Sequence, residues 1–237
     1  FAVTGASALY DAINAEGELD LFDPATGQGE LTEQYLKDRA IFLIDLIVAN
    51  TADQMESSSP WLKISGTTQY FEDDSGYSQT KLYLGADETI TTQPLDNISQ
   101  IKFGGWLDDT LTGGGKWDHL YVMAGEDSLE GKGGNDYLEG GPGFDTYVIN
   151  PGDGNDTILD IDGSGVIRFG DIAATGSDGL EAGQWVQLGD DAWADKQNNI
   201  IYTRSVADGE TQLRIRKGGT AVLVKGWSDG ELGIELG

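Results

Sequence analysis

The sequence contains no cysteine and few basic residues, and these two shortages exclude several classes of function. Without cysteine the chain can form neither a disulfide nor a zinc site built on thiolates. Only 14 lysines and arginines stand against 41 acidic residues, which gives a net charge of −27. Nucleic acids and anionic membranes are bound through basic surfaces. We therefore expect neither of them as a partner.

Long apolar runs are also missing. The most apolar stretch, 40–48, is interrupted by Asp45 and is far shorter than the roughly 20 apolar residues of a membrane helix. We therefore expect no transmembrane segment, and no cleavable signal peptide is visible. Phe1 stands where an initiator methionine would be, so we expect the chain to be a piece of a longer protein that is monomeric by itself.

Glycine, in contrast, is abundant, with 35 residues, and much of it belongs to a nine-residue repeat between Gly104 and Arg168. Five segments follow without a gap: GGWLDDTLT, GGGKWDHLY, VMAGEDSLE, GKGGNDYLE and GGPGFDTYV. After a two-residue insertion come PGDGNDTIL and DIDGSGVIR, the latter with Gly165 in the sixth place. The sixth place of the other six segments is an aspartate: Asp109, Asp118, Asp127, Asp136, Asp145 and Asp156. A flexible linker has no use for the apolar residue that recurs in the eighth place.

The spacing itself predicts a parallel β-roll. Six glycine-rich residues can form a tight turn, and three residues with a central apolar side chain form a short strand. Two segments make one coil of about 18 residues, so each loop stacks on the second loop along. Asp109, Asp127 and Asp145 then line one edge, while Asp118, Asp136 and Asp156 line the other. Such stacked carboxylates repel unless a cation lies between them, and calcium accepts six to eight oxygen ligands.

These segments resemble the calcium-binding repeats of RTX proteins, which Gram-negative bacteria export by type I secretion. The resemblance implies a secreted, extracellular protein whose Ca²⁺ ions lie between loops two repeats apart. It also implies ligands from the sixth-place aspartates and from backbone carbonyls. One predicted site uses Gly114, Lys116 and Asp118 with Gly131, Gly133 and Asp136. A second predicted site uses Met123, Gly125 and Asp127 with Gly140, Pro142 and Asp145.

The sequence departs from the repeat pattern at a few positions. Glycine is replaced at Leu107 and Lys116, and the glycine pair is missing at Val122 and Met123. We therefore expect a weaker site at the Asp109/Asp127 pairing, and the insertion before Pro151 predicts the same for Asp136/Asp156. Gly165 supplies no carboxylate, so we expect the stack of ions to end before it.

The flanking regions complete a mainly β fold with a helical and hairpin-forming lead-in over 1–100, the roll over 101–170 and an antiparallel cap over 171–237. Apolar spacing predicts helices at 6–15 and 31–49. Alternation and turn residues predict strands at 61–64, 67–71, 78–84, 185–188, 200–205, 211–217 and 220–224. Ile101 and Phe103 are expected to plug the open end of the roll. The segments FDPATGQGELTEQYLKDRA, WADKQNNIIY and VLVKGWSDGELGI resemble the flanks of β-rolls in RTX proteins with a lipase-like α/β-hydrolase domain, which implies such a domain ahead of Phe1.

Catalysis within this chain is not expected. The single histidine, His119, should point outward from the roll, and the GWSDG match around Ser228 lacks the following helix and histidine of a hydrolase. Two alternatives to a calcium-dependent secretion module remain. The first is an adhesive module with an outward patch of Tyr121, Tyr137 and Trp227, and the second is calcium-triggered self-cleavage at Asp23–Pro24.

Overall fold

A computed structural model describes residues 18–23, 26, 29–51, 61–63, 69–75, 80–85 and 95–237. These residues contain one α-helix, α1 (Glu33–Thr51), and 17 strands. The mainly β class is therefore confirmed. The first predicted helix, over 6–15, lies outside the described residues, as does Pro24. The strands are β1 (Trp61–Lys63), β2 (Gln69–Asp73), β3 (Thr80–Gly85), β4 (Ser99–Phe103), β5 (Thr110–Thr112), β6 (His119–Tyr121), β7 (Ser128–Glu130), β8 (Tyr137–Gly140), β9 (Asp145–Ile149), β10 (Asn155–Asp160), β11 (Gly165–Phe169), β12 (Ile172–Ala173), β13 (Trp185–Gly189), β14 (Ala192–Asp195), β15 (Ile200–Ala207), β16 (Glu210–Lys217) and β17 (Thr220–Lys225).

The repeats form a parallel β-roll, in which successive strands alternate between two sheets. Strands β4, β6, β8 and β10 are neighbours in the larger sheet, and β5, β7, β9 and β11 are neighbours in the smaller one. All of these neighbours are parallel, with Leu120 beside Leu138 and Leu111 beside Leu129. The register places equivalent residues of repeats n and n+2 side by side, as the 18-residue coil predicts.

The interior of the roll is filled by the eighth-place side chains. They form a continuous core with the cap that follows, and most are fully buried. The residues in this row are Leu111, Leu120, Leu129, Leu138, Tyr147, Ile158 and Ile167. Five of the seven segments bury only this one apolar side chain, whereas the second also buries Tyr121 and the third also buries Val122 and Met123.

The N-terminal end of the roll differs from the expectation that Ile101 and Phe103 plug it. Both side chains lie in a separate core under α1, because they sit beside the outward residues His119 and Tyr121 in the register of β4 with β6. Lys102, between them, lies beside the inward Leu120. Neighbouring residues in a sheet share a face, so an amine stands where the repeats have an apolar residue.

Lys102 joins the two sheets at this end of the roll. Its Nζ donates to the carbonyl oxygen of Thr112 on β5 at 2.7 Å and lies 3.4 Å from Oε2 of Glu72 on β2. Strand β2 pairs in parallel with β4, and β3 and β1 extend the larger sheet further. The edge of the first coil is therefore covered by added strands, and polar contacts close the interior.

Helix α1 packs on the outer face of the larger sheet. Thr32 caps its first turn by accepting a hydrogen bond from the N–H of Tyr35 at 3.1 Å. Tyr35 and Phe42 are buried against Phe103. The guanidinium of Arg39 lies 4.3 Å from the ring centroid of Phe103 and forms a buried ion pair with Asp73, with an N–O distance of 3.0 Å.

Only one side of α1 is covered by described residues. Phe42 and Leu46 are buried, whereas Ile41 and Ile44 are 46% and 59% exposed. In the part of the chain that the structure describes, no helix is long and apolar enough to cross a membrane.

The C-terminal cap continues the larger sheet beyond the last coil. Strand β17 pairs in parallel with β10, and β16, β15, β14 and β13 follow as antiparallel neighbours. The hairpin turn after β15 has positive φ at Asp208 (56°) and Gly209 (88°), which a two-residue hairpin of this twist requires. Strand β14 was not predicted from the sequence. In the smaller sheet, β12 covers β11.

Candidate calcium sites

The sixth-place aspartates are linked into two ladders, one along each edge of the roll. In each pair, the backbone N–H of one aspartate donates to Oδ1 of the aspartate in the next stacked loop. On one edge, Asp109 bonds to Asp127 at 2.6 Å, and Asp127 bonds to Asp145 at 3.0 Å. On the other edge, Asp118 bonds to Asp136 at 2.8 Å, and Asp136 bonds to Asp156 at 3.1 Å. The structure thus brings these six residues together in the order that the repeat spacing implies.

The second oxygen of most of these carboxylates is buried and unsatisfied. Among the residues that the structure describes, no hydrogen-bond partner exists for Oδ2 of four of them: Asp127, Asp136, Asp145 and Asp156. All four side chains are at most 2% exposed. Buried polar atoms normally have hydrogen-bond partners, and an unpaired buried carboxylate lowers the stability of the folded state by on the order of several kcal/mol. These oxygens are therefore positioned to be ligands of a cation.

Burial raises the pKa of these carboxyl groups. The pKa is about 6 for Asp127, about 7 for Asp145 and Asp156, and about 8 for Asp136. Hydrogen bonds from the backbone N–H groups lower each pKa, but they do not offset the loss of hydration. Asp118 has a pKa of about 6 for the same reason, although its Oδ2 accepts from the N–H of Gly114 at 2.5 Å. A bound cation would favour the ionised form of every one of these groups.

Glycines at the fourth place allow the loops to approach closely. Gly134 and Gly143 have φ angles of 141° and 142°, which L side chains rarely adopt. A Cβ on Gly134 would lie 2.3 Å from the carbonyl oxygen of Lys116, and one on Gly143 would lie 1.8 Å from that of Gly125. Two of the carbonyls expected as ligands therefore lie directly against the next loop of their stack.

The other expected carbonyl ligands lie in the same loops. The carbonyl oxygen of Gly114 accepts from the N–H of Gly133 at 2.9 Å, and that of Pro142 accepts from Gly125 at 3.2 Å. The carbonyl of Gly140 accepts from Ile161 at 3.3 Å. A carbonyl oxygen has two lone pairs, so these hydrogen bonds leave it able to bind a cation. The carbonyl oxygen of Met123 lies directly against Gly141, and the carbonyl oxygen of Gly131 lies directly against Gly113.

The insertion between the fifth and sixth segments is absorbed without breaking the ladder. Oδ2 of Asp153 accepts from the N–H of Asn150 at 2.5 Å and closes the extra turn. The Asp136 to Asp156 hydrogen bond forms across this turn. The departures at Leu107 and Val122 likewise leave the hydrogen bond between Asp109 and Asp127 in place.

Among the described residues, side chains alone do not form a metal site. Within the described ranges, no group of three or more histidine, cysteine, aspartate or glutamate side chains is arranged to hold a metal ion. Two stacked aspartates supply two carboxylates, and the remaining oxygens must come from the backbone. Calcium, a hard cation that accepts carbonyl and carboxylate oxygens at flexible geometry, fits this donor set.

His119, Ser228 and the aromatic residues considered for catalysis or adhesion do not lie in the arrangement that either function requires. His119 faces outward from the roll, but it lies under α1, with its Nδ1 2.6 Å from Oδ2 of Asp38. Ser228 is followed by a three-residue 3₁₀ turn, Glu231–Gly233, rather than by the helix of a hydrolase nucleophile elbow. The prediction of an outward aromatic patch for an adhesive module is wrong, because Tyr121 and Trp227 are each only 1% exposed.

Comparison with known protein families agrees with this geometry. The family model of the RTX calcium-binding nonapeptide repeat, in four copies, matches residues 112–147. No curated protein matches the sequence. Repeats of this family form a non-catalytic β-roll, bind Ca²⁺ and typically occur in secreted proteins. Residues 112–147 of this chain are therefore RTX calcium-binding nonapeptide repeats, and the roll that they form is a calcium-binding module.

Proposed function

We propose that residues 104–168 fold only when calcium binds, outside the producing cell, and that this step supports type I secretion and the stability of a larger secreted protein. The ligands are the six sixth-place aspartates together with the backbone carbonyls of neighbouring loops. These carbonyls belong to Gly114, Lys116, Met123, Gly125, Gly131, Gly133, Gly140 and Pro142. The chain itself has no catalytic activity in this proposal.

One observation carries the proposal. In the described part of the chain, Oδ2 of Asp127, Asp136, Asp145 and Asp156 is buried without a partner, in two stacks of like charge. At neutral pH these carboxylates destabilise the folded roll by desolvation and mutual repulsion. Calcium removes both penalties. Because calcium binds the folded stack and hardly the unfolded chain, its binding free energy becomes folding free energy.

The composition of the repeats supports the same conclusion. Ordering glycine costs more backbone entropy than ordering any other residue, and five of the seven segments bury a single apolar side chain. Extracellular calcium modules typically have dissociation constants of about 10⁻⁴–10⁻³ M, far above the calcium concentration of a cytosol. The repeats would then remain unfolded inside the cell, pass an export channel as an extended acidic chain, and fold outside.

The flanking regions have roles of their own in this proposal. We assign 1–100 to a lead-in region, 101–170 to the roll and 171–237 to a cap. Strand β17 covers the last coil in the larger sheet and β12 covers it in the smaller sheet, which protects edges that otherwise invite aggregation. A passenger domain with its own activity would precede the lead-in.

Export of the chain from a Gram-negative host tests this function. The chain is fused to a type I secretion signal, and resistance to protease is compared for the intracellular pool and for the exported protein. We expect the intracellular pool to be sensitive, and the exported protein to become resistant in millimolar calcium but not in chelator. An intracellular pool that already resists protease would contradict the proposal. Hydrolysis of a generic ester that disappears in Ser228→Ala or His119→Ala would contradict the assignment as non-catalytic.

A further inference from the structure

The last pair of stacked loops lacks one of the two carboxylates that the repeat rule requires. In the register of β9 with β11, Gly165 lies beside Asp145, at the place where the earlier coils have an aspartate. The sequence therefore predicts that the stack of ions ends before the loop over 160–165.

The two loops are nevertheless joined through the same N–H groups as the earlier ones, although the acceptors differ. The N–H of Asp145 donates to the carbonyl oxygen of Ser164 at 3.1 Å. The N–H of Gly143 donates to Oδ2 of Asp162 at 3.0 Å. In the two loop pairs before it, the equivalent N–H groups donate to backbone carbonyls, those of Pro142 and Asp153. The space between the loops is thus maintained, although its sixth-place carboxylate is absent.

A different carboxylate lies at this end of the roll. Asp160 is in the first place of its segment and lies beside Gly140 in the register of β10 with β8. Its Oδ2 accepts from the hydroxyl of Tyr147 at 2.8 Å, while its Oδ1 is buried and has no hydrogen-bond partner within the described residues. Burial raises the pKa of Asp160 to about 8, with the nearby carboxylate of Asp145 adding to this rise and hydrogen bonds from the Tyr147 hydroxyl and the Gly163 N–H opposing it.

The side chain of Asp145 lies near the same phenol and acts electrostatically on Asp160. It is fully buried at 0% exposure, and its Oδ2 lacks a hydrogen-bond partner among the residues described. A Cβ added to Gly140 would lie 2.0 Å from the hydroxyl of Tyr147 and 2.4 Å from Oδ2 of Asp145. Gly140 therefore lets the phenol and one carboxylate pack directly against the backbone, and Asp160 is hydrogen-bonded to that phenol.

We propose that Asp160 supplies the carboxylate that Gly165 lacks, and that Asp145 and Asp160 together bind a further Ca²⁺ ion at the C-terminal end of the roll. Tyr147 is a positioning residue, since its hydroxyl holds Oδ2 of Asp160 and leaves Oδ1 for the ion. Backbone carbonyls of the two loops complete the oxygen ligands that calcium prefers. The inference rests on the proposed calcium binding of the roll, but it adds a ligand set that the nonapeptide pattern does not contain.

Counting bound calcium tests this site. Wild-type protein, Asp160→Asn and the control Glu126→Gln are equilibrated with excess CaCl₂, separated from free ion and analysed for metal per chain. Glu126 is an exposed acidic residue next to a ligand aspartate, so its variant controls for the loss of one charge. We expect one Ca²⁺ fewer in Asp160→Asn, with an unchanged circular dichroism spectrum, and the wild-type count in Glu126→Gln. Tyr147→Phe should keep the ion but bind it more weakly.

The outcomes separate the site from the function on which it rests. An equal count in Asp160→Asn and wild type would mean that the Asp160 carboxylate holds no calcium, and would overturn the site. A wild-type protein without bound calcium would instead overturn the proposed function. If Asp160→Asn fails to fold, crystals of the unmodified chain soaked in a lanthanide decide the matter. An anomalous peak beside Asp145 and Asp160 is expected, and its absence there would refute the site.

Discussion

The backbone N–H of Asp118 donates to Oδ1 of Asp136 at 2.8 Å, and the N–H of Asp136 donates in turn to Asp156 at 3.1 Å. Asp136 therefore belongs to two stacked pairs. Replacing it by asparagine keeps the shape of the side chain but removes charge from both candidate sites. We expect Asp136→Asn to raise the calcium concentration at the folding midpoint on the order of tenfold, since ligand charge sets affinity in such sites.

A matched variant separates ligand loss from loss of net charge. Glu126→Gln removes one negative charge from an exposed position in a repeat loop, and we expect its midpoint to stay within about twofold of wild type, as surface changes usually cost less than 0.5 kcal/mol. Titrations followed by circular dichroism compare the two variants. Equal midpoints would rule out the ladder as the calcium-binding element.

The raised pKa values of the aspartates predict how folding depends on pH. With pKa values of about 8 for Asp136 and about 7 for Asp145 and Asp156, the folded roll binds protons more tightly than the unfolded chain, in which an aspartate has a pKa of about 4. This stabilisation is complete below the unfolded value and is lost progressively as the pH rises from there through the folded values of about 7 and 8. In chelator, any residual β structure of the roll should therefore be greater at pH 5 than at pH 8.

In the presence of calcium, folding of the roll should instead be favoured at higher pH. Protons compete with calcium for the same carboxylates, so we expect the calcium midpoint to be lower at pH 8 than at pH 6. Circular dichroism in chelator at pH 5 and pH 8, and calcium titrations at pH 6 and pH 8, provide the measurement. Greater stability in chelator at pH 8 than at pH 5 would show that these carboxyl groups are not desolvated in the folded roll.

The repeat region could be predicted from the sequence because its period specifies both the strand and the loop. A nine-residue repeat with aspartate sixth and an apolar residue eighth defines which side chains face inward, and the roll and its two ladders follow. The end of the roll could not be predicted in this way. Alternation over 101–103 places Ile101 and Phe103 on one face of the sheet, but it does not reveal that a helix covers this face and that Lys102 faces the interior.

Contacts between distant parts of the chain also could not be predicted from the sequence. Thr32 reaches Glu139 across 107 residues, and neither residue has a pattern that would pair them. Strand β14 was missed because Ala192–Asp195 is short and directly follows a turn. The position of Asp160 at the end of the stack became visible only from the register of β8 with β10.

The inward amine of Lys102 is expected to stabilise the N-terminal end of the roll. Its removal would leave the carbonyl of Thr112 without this donor and would weaken the contact with Glu72. We expect Lys102→Ala to destabilise the calcium-bound protein by about 1.5–3 kcal/mol, the range for hydrogen bonds to charged groups. The exposed Lys196 provides the control, Lys196→Ala, with a change below about 0.5 kcal/mol. Urea unfolding that finds both variants alike would contradict a role for Lys102 in closing the roll.

Thr32 links the cap of α1 to the roll. Its hydroxyl accepts from the N–H of Tyr35 and donates to Oε2 of the buried Glu139 at 2.7 Å. Thr32→Val removes both contacts with little change in shape, and we expect a loss of about 1–3 kcal/mol from an N-cap and a buried charged acceptor. Thr203→Val, at an exposed position of β15, is the matched control. Thermal unfolding in calcium measures both, and an unchanged midpoint for Thr32→Val would argue against coupling between helix and roll.

Exchange of the metal ion tests whether residues 104–168 fold only when calcium binds. The chain is placed in chelator and then in millimolar calcium, with millimolar magnesium as the control, while circular dichroism, tryptophan emission and protease resistance are recorded. Trp106 and Trp117 lie in the repeat loops and report on their order. We predict a gain of β signal, a shift in emission and protection of the roll in calcium alone. A roll that is equally protected in chelator would show that it folds without calcium.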